Sequence, residues 1–140
     1  HIGFKWINDY KLLRLWQDFL ALFAKHLKDA EDIGDFYFNI IDNASKEWNK
    51  QNPKRVAIEA YVKILEHEGR LHREAICFLC SRPIENDISL IRAFLPTHQK
   101  CTHTLGINAE ALNNLYENKS SLFLSDKEVD RLWIVLLEGL

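Results

Sequence analysis

Apolar residues recur along this chain at helical spacing, lose that rhythm after residue 70, and recover it near the end. Leu13, Trp16, Leu20, Phe23 and Leu27 form one stripe, and Leu12, Leu15, Phe19 and Leu22 a second beside it. A helix apolar over so much of its circumference is expected at the centre of its domain. A second helix is predicted over 32–48, with Tyr37, Ile40, Ile41, Ala44 and Trp48 on one face. "NKQNPKR" breaks the chain; Asn52 suits an N-cap, and Pro53 the first helical position, where no backbone donor is needed. The third helix turns Ile58, Tyr61, Val62 and Leu65 inward, and Gly69 can end it in the left-handed conformation.

Residues 70–104 carry no clear helical period. Ile88, Leu90, Arg92 and Phe94 alternate, as in a strand, although a short buried helix fits the same run; Pro83 and Pro96 bracket it. Asn108 can cap a helix carrying Leu112, Leu115 and Tyr116. Ser125 with Glu128 reads as a capping box before a last helix that buries Val129, Leu132, Trp133 and Leu136. At the other end, Ile2, Phe4 and Trp6 alternate, the mark of a short strand or an extended lead-in. The fold class is therefore mainly α: a helical, bundle-like domain over 9–140 with a small zinc-finger-like insert at about 70–104.

Composition narrows the options. With 140 residues, 47% of them hydrophobic, the chain can build one core. No apolar run reaches membrane-spanning length, and nothing resembles a signal peptide. Three cysteines cannot all pair within the chain, which points to a reducing cytosol rather than a disulfide scaffold. The absence of methionine suggests a piece of a longer protein. The formal charge of −2 gives no general case for nucleic-acid binding. Residues 46–73, however, hold seven basic against four acidic groups and are the natural anion-facing stretch.

All three cysteines fall in the irregular insert, spaced Cys77-x2-Cys80-x17-His98-x2-Cys101. Two short pairs separated by such a loop are the usual pattern of a structural zinc site. Each x2 turn brings both of its ligands to one ion, and the loop returns the chain to complete a tetrahedron. His103, two residues past Cys101, is an alternative to His98 as fourth ligand. Two other readings stay open: thiols serving as small buried apolar residues, and a C-x2-C redox pair. The latter would open a helix after a strand, a context absent here. If zinc binds, four protein ligands leave no position for a reacting water, so the site is expected to be structural.

Little else suggests catalysis. No serine stands in a nucleophile elbow, and the five glycines form no phosphate loop. His26 reads as a core-edge residue, and His67 and His72 suit a helix C-terminus. Lys46, Lys50, Lys54 and Arg55 cluster around the turn between the second and third helices. They form either a solvated face or a patch for an anionic partner or DNA.

"LEHEGRLHREAICFLC", then "RAFLPTHQKC", then a helix opening with "SDKE" resemble the C-terminal portion of the RecO family of bacterial recombination mediators. The corresponding features are Gly69 at a helix end, Cys77 and Cys80, and Phe94 with Pro96 before the second metal pair. The resemblance implies an N-terminal OB-fold domain ahead of this chain, residues 1–8 being the lead-in from it. It also implies a cytoplasmic, nucleoid-associated protein that catalyses no covalent reaction. Such a protein associates with RecR and engages the acidic tail of single-stranded-DNA-binding protein. It helps load RecA and anneals strands, binding single-stranded DNA mainly through the N-terminal domain. The family often carries a second C-x2-C where this sequence has "THQKCTHT", so the ligand role transfers to His98 by spacing alone. The alternatives to a mediator domain are a zinc-dependent or thiol-dependent enzyme and a generic zinc-stabilised helical interaction domain.

Overall fold

A computed structural model describes residues 8–30 and 33–140. In chain order the elements are α1 (Tyr10–His26), α2 (Asp35–Glu47), α3 (Pro53–His67), β1 (Ile88–Ile91), β2 (Leu95–His98), α4 (Gln99–Thr102), α5 (Ala109–Asn118) and α6 (Asp126–Leu136). The expected strand or lead-in over Ile2, Phe4 and Trp6 lies outside the described residues, as does the predicted start of the second helix at Asp32. Within them α2 begins at Asp35, after Gly34 at φ 73°.

Local chemistry sets most boundaries. Asp9 accepts from the Lys11 and Leu12 N–H groups, Asn52 from Lys54 and Asn108 from Ala111, each satisfying a donor that a helix start leaves open. Ser125 and Glu128 close a reciprocal capping box. α3 ends as its glycine predicts. Gly69 stands at φ 70°, the Arg70 N–H reaches the Leu65 carbonyl at 2.8 Å, and the Gly69 N–H reaches Glu66 at 3.1 Å.

The central helix is α3, not α1. It packs on α1, α2, α5 and α6 and buries nine residues, Ile58, Tyr61, Val62 and Leu65 among them. In α1 only Trp16, Phe19, Leu22 and Phe23 are fully buried, and Leu13, Leu20 and Leu27 lie half-exposed at the margin. The apolar circumference of α1 is wider than the surface its described neighbours cover. An aromatic cluster fixes α1 to α2: Trp16 and Trp48 meet edge to face at 5.0 Å, and the Trp48 indole donates to the Leu12 carbonyl at 2.9 Å.

The alternating run 88–94 is a strand only to Ile91. Arg92–Phe94 form a single 3-10 turn, with Ala93 and Phe94 at positive φ, and the chain returns as β2. The hairpin is antiparallel, Ile88 opposite His98 and Ile91 opposite Leu95. A buried Phe94 overrides its backbone preference by packing 4.6 Å from Tyr61. Ile84, Ile88, Leu90, Phe94 and Ile107 join the helices' own core cluster. The hairpin is thus built into the domain, and the stretch lacking apolar support is confined to the turn around Cys77 and Cys80. No described helix is long and apolar enough to cross a membrane.

Candidate metal centre

Two turns, one before β1 and one after β2, meet at the open end of the hairpin to build the centre. The first follows an irregular strap: the Cys77 N–H donates to the Arg82 carbonyl at 2.9 Å, and the Ser81 N–H returns to Cys77 at 2.9 Å. Ser81 takes a left-handed φ of 64°, folding the chain back directly after Cys80. The second turn is α4, which starts at the end of β2 and carries Cys101 one turn past His98. A main-chain bond from the Phe78 N–H to Pro96, 2.8 Å, docks the first turn on β2, the strand that leads into the second.

The ligand atoms of Cys77, Cys80, His98 and Cys101 all lie within 4.8 Å of one another. His98 Nδ1 is 3.2 Å from the Cys80 sulfur and 3.8 Å from that of Cys101. A tetrahedron with zinc-to-ligand arms of about 2.0–2.3 Å has edges of roughly 3.3–3.8 Å, so these separations match one ion. The imidazole is oriented for the same task. Its Nε2 lies 2.9 Å from the Pro83 carbonyl, which can only accept. The proton therefore sits on Nε2, and the Nδ1 lone pair faces the sulfurs, the outer-shell arrangement usual for a metal-bound histidine.

The thiols are unequal. Burial works to raise Cys77, but main-chain donors from His98, Cys80 and Leu79 prevail and bring it down to about 6. Burial, and then the neighbouring Cys77 and Cys80 sulfurs, push Cys101 up. Three sulfurs this close cannot all be thiolate without a cation among them, and a divalent ion supplies it. The donor set thus fits a structural zinc held by Cys77, Cys80, His98 and Cys101. His103, the expected alternative, caps α4 at φ 57°, is exposed, and stands outside the group.

The four basic residues are not gathered in one free patch. Lys46 pairs with Asp42 at 3.0 Å, Lys50 with Glu47 at 3.3 Å, and Lys54 with Asp130 at 3.0 Å. Arg55 is largely covered. It donates to the Leu124 carbonyl at 2.8 Å and to Ser121, and meets Asp126 at 3.1 Å, so it fastens the loop before α6.

Sequence reasoning missed a second polar cluster. Glu68, at the end of α3, takes hydrogen bonds from Tyr37, from Arg70 at 2.9 Å and from His26 Nε2 at 2.6 Å. It ties the ends of three helices together. His67 stacks on Phe36 with centroids 3.8 Å apart. The only sequence signal for this cluster was the crowding of polar groups at the end of α3.

No protein-family model matches this chain, and no curated protein matches it.

Proposed function

We propose that the chain is a non-catalytic helical interaction domain whose insert is clasped by a structural zinc ion. The convergence of three sulfurs and His98 Nδ1 within 4.8 Å, with Nε2 committed to Pro83, carries this reading. When bound, zinc supplies charge neutralisation and a tetrahedral cross-link, and four protein donors complete its usual shell. Cys77 and Cys80 hold the first turn, and His98 and Cys101 hold the second to it. Metal analysis of protein purified without added metal tests this: one zinc per chain is expected, with loss on Cys77→Ser. Cobalt substitution should give a tetrahedral visible spectrum with thiolate charge-transfer bands. An octahedral spectrum, or solvent in the cobalt shell, would refute the closed site.

The finer reading is that the domain serves a RecO-like mediator. It is supported by the motifs around Gly69, Cys77, Cys80, Phe94 and Pro96 and by helices flanking a cysteine-bearing insert on both sides. The domain's work would then be recognition of RecR and of single-stranded-DNA-binding protein. A pull-down with each, run with and without a chelator, tests it. Absence of both interactions in the zinc-loaded protein would remove the mediator reading and leave the zinc-clasped domain standing.

A further inference from the structure

The hairpin's two outer edges are finished differently. Along β2, the Pro96 carbonyl takes the Phe78 N–H at 2.8 Å, and the His98 N–H points to the Cys77 sulfur at 3.4 Å. That edge is covered. Along β1, Ile88 exchanges both main-chain bonds with Ile107, at 2.9 and 2.7 Å. Leu90, two residues on, faces the same way. Its register partner is Pro96, which has no N–H and gives its carbonyl to Phe78. The Leu90 N–H and C=O therefore point away from β2. The returning chain could have met them, but it turns aside at His103, and Leu105 is 69% exposed. Between this edge and the outer face of α6 lies an apolar groove of about 440 Å³, walled by Leu105, Thr104 and Ile134, the last 62% exposed.

We propose that this groove receives an extended segment of another polypeptide, which adds to the free edge at Leu90 and lays an apolar side chain between Leu105 and Ile134. The edge itself selects the occupant. A donor and an acceptor at strand spacing match an extended backbone, whereas a helix has spent its main-chain groups internally and a hydrocarbon has none. Charge refines the choice. Arg131, at one end of the groove, is anchored on the Gly106 carbonyl at 2.6 Å. Glu138, just past the end of α6 and about two turns on from Arg131, also lines the groove and has no ion pair among the described residues. The groove thus presents a cation at one end and a carboxylate at the other, and a segment with an acidic residue toward Arg131 and a lysine or arginine toward Glu138, on either side of its apolar anchor, complements both.

The probe is a library of random octapeptides displayed on phage and panned against the full chain loaded with zinc. Enriched peptides should share an apolar residue with an acidic residue on one side and a basic one on the other. Ile134→Glu and Leu105→Glu should each weaken a synthetic copy about tenfold or more. Both positions are exposed, so unchanged melting and zinc content will show that the fold survives. Methylating the peptide nitrogen that faces the Leu90 carbonyl should cost roughly fivefold to tenfold, and the Leu90 amide should exchange more slowly in the complex. The proposal is overturned by a panning that enriches nothing, by affinity that survives Ile134→Glu or methylation at every position, or by peptides that bind as helices. Self-association abolished by Ile134→Glu would assign the groove to a second copy of this chain and equally overturn it. None of these outcomes depends on binding to RecR or to single-stranded-DNA-binding protein.

Discussion

Removing one oxygen from Tyr61 should cost this domain a large part of its stability. The ring is wholly buried on α3. Its hydroxyl donates to the Gly139 carbonyl at 2.6 Å and accepts from the Ala93 N–H at 3.1 Å, so one atom joins α3, the hairpin turn and the chain after α6. Tyr61→Phe keeps the ring and its contact with Phe94 but strands two main-chain groups. Leaving a buried polar group unpaired costs about 1–3 kcal/mol. Gly139 is buried and Ala93 only half-buried, so water can relieve the second more readily than the first. The two together give about 2–4 kcal/mol. Urea unfolding should show a lower midpoint with an unchanged slope. The pH dependence adds an independent check. Burial, chiefly, raises the phenol from 10.0 to about 12, so the fold favours its protonated form. The stability it contributes is complete below the ordinary value and is lost as pH rises through that interval, in the native protein but not in Tyr61→Phe. A loss below about 0.5 kcal/mol, within the range of ordinary surface changes, would refute the claim that this hydroxyl ties the three segments.

Ala93, at φ 63°, pays the left-handed cost of roughly 1–2 kcal/mol. Ala93→Gly should therefore stabilise by about 0.5–1 kcal/mol after glycine's extra flexibility is counted, read as a raised urea midpoint. Glu68 is pushed up by burial, but its bonds from Tyr37, His26 and Arg70 outweigh this and hold its pKa below the usual carboxylate value. Its contribution is full above the ordinary carboxylate pKa and fades as pH falls through the depressed one. Glu68→Gln should flatten the acid limb of a melting-temperature profile. Arg55→Ala should destabilise by about 1–3 kcal/mol, because the Ser121 and Leu124 carbonyls lose their donor. Lys46→Glu, on an exposed face, should change the unfolding free energy read from urea titration by less than about 0.5 kcal/mol. Chelation should leave the far-UV helical signal largely intact while amide resonances of 76–84 and 98–104 shift, since the helices share a core that does not need the ion.

The sequence was most legible where a side chain acts on its own backbone. Asn52 with Pro53, Asn108, Ser125 with Glu128, and Gly69 each mark a helix end, because the bond that fixes the boundary spans only a few residues. The spacing of Cys77, Cys80, His98 and Cys101 was readable for a related reason: x2 turns are local. What the pattern hid was decided at long range. Burial of Phe94 against Tyr61 turns an apparent strand into a hairpin. The prominence of α1's apolar stripes concealed that α3, flanked on more sides, is central. Lys54 and Arg55 looked free until Asp130, Ser121, Leu124 and Asp126 came to meet them from the far end of the chain. The x2 spacing favoured His98 over His103, and the geometry agrees; what no spacing rule announces is the Pro83 carbonyl, fifteen residues upstream, that orients the His98 ring.

The Phe78–Pro96 bond gives the cysteine turn a second duty. A two-stranded ribbon left bare along its far margin is an invitation to neighbouring molecules, and here a loop with little hydrophobic support of its own is laid over that margin as a guard rail. The earliest sign of losing the clasp should accordingly be clumping of folded molecules, before any melting of their helices.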